Sequence, residues 1–390
     1  MITPILAAAL CLLAPPTSPK PAPQRAQPTP PAAAAHPDTT TGYKLQPGPY
    51  ATGSANLTLH DPERDKDLEI TVRYPKAAPT DPANFPLIVF SHGAGGSRDA
   101  FPQLTTHWAS HGYIVVLPTH ADSIALRRKQ GEDVRHIAKN PNSLIRDVKP
   151  MDRVADVKLI LDSIPTLEDQ VEDLHATLPP TQSPAPNKPA TRGRIDRDRI
   201  AMAGHSAGAL TTQMIVGVKV RGARSMEQGK PAGGADLLTA RSVADSRVKA
   251  GLIISGGGLN NRMLTEDSWN ELSVPILTIT GSNDIAGIGN ETPETRRHSF
   301  EYSRGRAKGG PAAYLLWIEG ATHSSYAGKG ARPAASADDL DLDMVVNATT
   351  ATTQAFLDAW IKGDQAARDY IEDPARTTQL TGGKAELRLK

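Results

Sequence analysis

Residues 200–216 read IAMAGHSAGALTTQMIV, and the fold follows from how this stretch changes character at its centre. Ile200 to Ala203 are wholly apolar, as in a strand buried on both faces, and ALTTQMIV is a helical run. Between them Gly204-His205-Ser206-Ala207-Gly208 fits G-x-S-x-G. A strand that turns sharply into a helix lifts the central serine out of the turn, where an imidazole can reach its hydroxyl. Gly204 and Gly208 remove side chains that would collide there. The helix starting at Ala207 aims its N–H groups and positive dipole end at negative charge developing beside Ser206. The plainer reading is a glycine-rich turn with an incidental serine.

Two later segments favour the chemical reading. VPILTIT (274–280) runs into Gly281-Ser282-Asn283-Asp284, and AAYLLWIEG (312–320) is followed by Ala321-Thr322-His323. Each puts a polar group just past the C-terminal end of a buried strand, the edge where active groups of open α/β sheets gather. Taken singly, Asp284 could close an Asx-turn and His323 could be a surface histidine. Together, Ser206, Asp284 and His323 stand in the order expected of an α/β-hydrolase. His323 would take the Ser206 proton and later give it to the leaving group, while Asp284 orients the ring and stabilises its charged form. Upstream, LIVF (87–90) ends in Ser91-His92-Gly93-Ala94-Gly95-Gly96, a bend able to present one oxyanion-hole N–H, with that of Ala207 as the second. It lacks the Lys-Ser/Thr ending of a phosphate loop.

Working outward, Leu57 and Leu59, then Ile70, Val72 and Tyr74, alternate with polar residues around a charged turn, predicting a β-hairpin. Short apolar strands are expected at Leu87 to Phe90, Tyr113 to Leu117, Ile200 to Ala203, Ala250 to Ile254, Ile276 to Thr280 and Tyr314 to Ile318. Helical segments separate them. This alternation predicts an α/β fold, a mostly parallel central sheet with helices on both faces. One helix should run from Met151 and stop at Pro165, another from about Thr350 to Lys362 before Gly363. Pro179 to Arg194 and Arg221 to Asp245 read as surface insertions of a single domain. The expected organisation is a signal peptide (1–14), a Pro/Ala-rich linker (15–42), the α/β-hydrolase domain (43–373) and a C-terminal tail (374–390).

The formal net charge of +1 leaves no chain-wide field for nucleic acid. The single cysteine, Cys11, excludes an intramolecular disulfide. It sits in an apolar run, Ile5 to Ala14, with the length of a signal-peptide core, too short to span a bilayer. Export to the periplasm or medium, without stable membrane insertion, is the expectation. Nine prolines between Pro15 and Pro37 make the next stretch a tether.

Other features read more blandly. His107 and His111 have i, i+4 spacing but no third metal ligand. Asp338, Asp339, Asp341 and Asp343 lack calcium-loop spacing and suit a helix start. The basic stretch from Arg127 to Lys149 is by default a solvated loop, with an anionic substrate group as the sharper alternative. No apolar lid is legible in residues 118–151 or 256–274, and the small residues Ala94 and Ala207 suit compact or short-chain acyl esters. The alternative is a broad cleft for polyester, with Trp269 as an aromatic wall.

The runs VRYP, FSHGAGG, HGYIVVLPTH, RIDRDRIAMAGHSAGA, ITGSND and GATHSSY resemble the dienelactone hydrolase-related group that includes platelet-activating-factor acetylhydrolases and bacterial polyesterases. The similarity extends from about Tyr43 to Ile371. It implies a serine carboxylic-ester hydrolase with Ser206, Asp284 and His323 as catalytic residues and the N–H groups of Ala94 and Ala207 as oxyanion hole. It implies no cofactor. The acetylhydrolases usually carry larger residues at both oxyanion positions, so alanine at each is a departure. Substrates would be small or polymeric esters. A peptidase or acyltransferase using the same triad, and a silent binding protein on the same scaffold, are the competing classes; oligomeric state is not legible.

Overall fold

A computed structural model of the chain describes residues 42–81, 83–177, 191–228, 230, 234–286, 288–328 and 340–390, all within the unit Pro37–Lys390. The expected signal segment, and the linker up to residue 41, lie outside the described residues, as does most of the Pro179 to Arg194 insertion.

The apolar runs form a nine-stranded sheet. Its strands are β1 (Thr52–Asp61), β2 (Lys66–Pro75), β3 (Phe85–Ser91), β4 (Ile114–Pro118), β5 (Ile195–His205), β6 (Val248–Ile254), β7 (Ile276–Asn283), β8 (Ala313–Thr322) and β9 (Ala385–Leu389). They lie in the order β1-β2-β4-β3-β5-β6-β7-β8-β9. From β4 to β8 all neighbours are parallel, whereas β1 with β2, β2 with β4 and β8 with β9 are antiparallel. The hairpin pairs Leu57 with Ile70 and Leu59 with Leu68, as its alternation predicts.

Period-two geometry divides the core. Leu87, Val89, Ile200 and Met202 face one layer, which includes helix α2 (Pro150–Asp162) with Val154, Val157, Ile160 and Leu161 and helix α3 (Ala207–Ile215) with Met214 and Ile215. Ile88, Phe90, Ala201 and Ala203 face the other, where helix α1 (Pro102–Ser110) contributes Trp108 and helix α4 (Leu342–Leu357) contributes Val345, Ala348 and Phe356. The two layers bury the middle of the sheet on both faces, which is why strands such as β3 and β4 carry no polar alternation.

Four boundaries differ from expectation. Pro165 opens a further helix, Ile164–Gln170, because proline fits the first helical turn where no N–H partner is needed. Helix α4 begins at Leu342, capped by the Asp341 carboxylate on the Met344 N–H at 3.0 Å, and continues as a π-turn, Asp358–Lys362, ending at Gly363 with φ 71°. Residues 374–390 are no loose tail: they form the helix Pro374–Thr381 and strand β9, which pairs along β8 from Tyr314 to Ile318. Finally, residues 124–147 fold into three short helices, Ile124–Lys129, Arg135–Lys139 and Ser143–Asp147. Their Val134, Ile137 and Leu144 pack with Ala94, Ile124 and Ile288. The composition of this stretch is charged overall, yet widely spaced apolar residues give it an apolar underside.

Candidate active site

Ser206 follows β5 and precedes α3 with φ 56° and ψ −117°, a left-sided backbone that a non-glycine residue adopts only under strain. Close packing imposes it. A Cβ on Gly204 would lie 2.2 Å from the Gly208 oxygen, and one on Gly208 would lie 1.9 Å from the Ser91 oxygen, so neither position admits a side chain. The Ser206 N–H donates to the Ile254 carbonyl at 3.0 Å, extending the parallel ladder into the turn.

Asp284 stands just beyond β7 and His323 just beyond β8. Nε2 of His323 lies 3.0 Å from Ser206 Oγ, and its Nδ1 lies 2.9 Å from Asp284 Oδ1. With Nδ1–H directed at the carboxylate, Nε2 is left to accept the serine proton. Asp284 is fully buried. Its Oδ2 accepts from Thr280 Oγ1 at 2.9 Å and Tyr326 Oη at 3.0 Å, while its Oδ1 also accepts from Ser255 Oγ at 2.8 Å and faces Arg296 Nε at 3.1 Å. Burial alone would raise this carboxyl, but the hydrogen bond from His323 and the charge of Arg296 hold it down at about 2.

Ala94 and Ala207 line one cavity together with Ser206. The Ala94 loop rests on a buried polar network. Arg153 on α2 clasps the Asp122 carboxylate with Nε at 3.0 Å and Nη2 at 2.8 Å, and its Nη1 donates to the His92 carbonyl at 2.7 Å. Asp122 also accepts the Gly95 N–H at 2.9 Å. His92 Nε2 accepts the His120 N–H at 3.0 Å, leaving its Nδ1 to donate to the Gly93 carbonyl. His120 in turn bridges Ser91 Oγ and Asp156, both at 2.8 Å. Lys66 reaches Asp156 from the hairpin, so the chain of contacts runs out to the surface.

The cavity measures about 310 Å³. Val148, Leu210, Met226, Met263 and Ile288 supply apolar wall, and Asn261, Glu291 and Arg296 supply polar groups. Trp269, a candidate wall by sequence, is instead fully buried, donating from Nε1 to Ser299 Oγ at 3.2 Å. The rings of His107 and His111 are tilted against one another with centres 4.6 Å apart, and among the described residues no group of three His, Cys, Asp or Glu could hold a metal. No helix among them is long and apolar enough to cross a membrane.

Sequence reading missed His205, Ser255, Arg296, Tyr326 and the Arg153–Asp122 pair. Ser255 alone carried a signal, since it too is a polar residue just past a buried strand. Arg296 and Arg153 act largely through backbone carbonyls of other elements, so no local pattern marks them.

The sheet order, the strained elbow at its C-terminal edge and the two flanking layers make this chain an α/β-hydrolase fold. Within that fold it is similar to the platelet-activating factor acetylhydrolases and the wider dienelactone hydrolase-like group. The sequence model of the family described as platelet-activating factor acetylhydrolase, isoform II, matches residues 68–221, a span that contains Ala94, Ser206 and Ala207 and stops before Asp284. Platelet-activating factor acetylhydrolase of Canis lupus familiaris is 30% identical over 153 residues, covering 33% of this chain and 31% of the relative. That of Bos taurus is 29% identical over 157 residues, with 33% and 31% covered. The matched part of the chain thus spans about a third of these relatives' length.

Proposed function

We propose that this protein is a serine hydrolase that cleaves carboxylic esters through an acyl-enzyme, with Ser206 as nucleophile, His323 as base and Asp284 as its orienting acid. The observation that carries the reading is the unbroken line of hydrogen bonds from Ser206 Oγ through His323 to buried Asp284, opening on a largely apolar cavity. His323 Nε2 takes the hydroxyl proton as Oγ attacks the ester carbonyl. The oxyanion that forms would be met by the N–H groups of Ala94 and Ala207, each such donor being worth about 3 kcal/mol in the transition state. The same proton then passes to the leaving alkoxide, and water repeats the sequence to release the acid. The relatives' name, acetylhydrolase, supports an ester substrate with a small acyl group, and a cavity of about 310 Å³ suits one.

The test is labelling by a fluorophosphonate, together with hydrolysis of p-nitrophenyl acetate and butyrate. Labelling confined to Ser206, with turnover abolished in Ser206→Ala, is expected; turnover unaffected by that substitution would overturn the assignment. An exposed isoleucine lining the cavity, Ile145, favours polyester chains as a second reading, tested by release of soluble monomers from a film. A panel of matched esters and amides separates either from a peptidase. Export is likewise proposed from the apolar N-terminal run, and the N-terminal residue of protein recovered from the medium or periplasm tests it.

A further inference from the structure

Ser255 is the first residue after β6, fully buried, with φ 55°. Glycine would occupy that backbone without strain, so a serine there needs a reason. Its backbone is pinned on both sides. The N–H donates to the Ile279 carbonyl at 2.7 Å, and the carbonyl accepts from Nη1 of buried Arg296 at 2.7 Å, which also reaches the Gly256 carbonyl at 3.1 Å. Arg296 Nε meanwhile donates to the Asp284 carbonyl at 3.0 Å, tying the turn after β6 to the turn after β7.

The strained position delivers one atom. Ser255 Oγ lies 2.8 Å from Asp284 Oδ1 and 2.7 Å from His323 Nδ1. Its single proton goes to the carboxylate, which leaves an oxygen lone pair for the Nδ1–H of His323. That N–H is shared between Asp284 at 2.9 Å and Ser255 at 2.7 Å. Asp284 does not need the serine, because Thr280, Tyr326, Arg296 and His323 already occupy its oxygens. The group that gains from Ser255 is the imidazole.

We propose that Ser255 is a positioning residue for His323, an inference that rests on the hydrolase reading above. As Ser206 gives its proton to Nε2, positive charge appears on a ring whose Nδ1–H keeps two acceptors. Ser255 Oγ holds the ring plane while the proton waits on Nε2 and is then passed to the leaving alkoxide. Its own hydroxyl proton stays with Asp284 throughout, and no further reactant is required.

Two substitutions separate this role from a structural one. Ser255→Ala removes the hydroxyl and keeps the strain; Ser255→Gly removes both. For both, kcat on p-nitrophenyl butyrate and the rate of fluorophosphonate labelling are expected to fall about tenfold, the worth of one hydrogen bond, with KM within about twofold. Ser255→Gly should melt at or above the wild-type temperature. Wild-type kcat in Ser255→Gly would overturn the proposal, as would a loss confined to KM. If Ser255→Ala fails to fold, Ser255→Gly decides alone. Ser206→Ala is run in parallel: activity sensitive to it but not to either Ser255 variant sinks only this proposal, whereas a wild-type protein that neither labels nor turns over sinks the hydrolase reading and this one with it.

Discussion

His205 Nε2 donates to the backbone carbonyl of His323 at 2.7 Å. The residue before Ser206 therefore holds the loop that carries His323, and a direct tie between His205 and the His323 backbone spans the gap between the two side chains. The two rings lie 4.7 Å apart. Burial, with the like charge His323 would carry, pushes His205 down to about 3, so it stays neutral beside a ring that becomes charged in the proposed mechanism. His205→Phe keeps an aromatic ring and deletes the donor. We expect kcat to fall about tenfold with KM little changed, read in steady-state kinetics; an unchanged kcat would show that the loop holds itself.

The Arg153–Asp122 pair offers a separate test under the Ala94 loop. Both side chains are buried, so Arg153→Met leaves Asp122 without its counter-charge. A loss of about 3–5 kcal/mol in urea unfolding is expected, with a fall in kcat as the Ser91–Gly95 bend loosens. Adding Asp122→Asn should recover part of the stability, since the stranded charge is gone; a fully additive double variant would mean the two residues are uncoupled.

Acid should weaken this protein over two pH ranges. His92, His107, His120 and His205 are held below the ordinary imidazole value of 6.5, chiefly by burial, His107 at about 4 and His205 at about 3. Between those values and 6.5 the unfolded chain binds more protons, so the stability they contribute is complete above about pH 6.5 and declines as pH drops. Asp122, Asp156 and Asp284 sit at about 2, where Arg153, His120 with Lys66, and His323 with Arg296 outweigh the effect of burial. Their contribution, present above the unfolded value of 3.8, is lost between about pH 4 and pH 2. Urea midpoints should be level above pH 7, fall from about pH 6.5 towards 4 and fall again below it. Equal midpoints at pH 7 and pH 5 would contradict the assignment.

The cavity wall should set acyl length. Met226 and Ile288 line it at about 310 Å³, and one methylene in such a pocket is worth about 1–3 kcal/mol of discrimination. Wild-type protein is expected to favour acetate and butyrate esters over octanoate, and Met226→Ala to move the optimum at least two carbons longer. A p-nitrophenyl ester series reads this directly, and an optimum that stays put would remove Met226 from the acyl side.

What could be read in advance was what local pattern encodes. Buried strands announce themselves as apolar runs, and Ser206, Asp284 and His323 each follow one, so the sheet and the three residues were legible together. The supports were not. Arg153 comes from a helix over 50 residues after the loop it anchors, and Arg296 reaches two turns at once through backbone carbonyls, which no side-chain pattern records. Strand β9 has no strand signature in the sequence because AELRL (385–389) is short and half polar, as befits an edge that pairs on one side.

The missing side chains at Gly204 and Gly208 carry a lesson for redesign. Because a methyl at either would strike backbone, the elbow and the Ser91–Gly96 bend form one interlocked casting, which has no room for added bulk at either glycine. Adjustable parts lie elsewhere, in Ile145 and Val148 in and just after the short helix Ser143–Asp147, and in Met226 and Ile288. A library aimed at new substrates would vary those four residues and leave the casting alone.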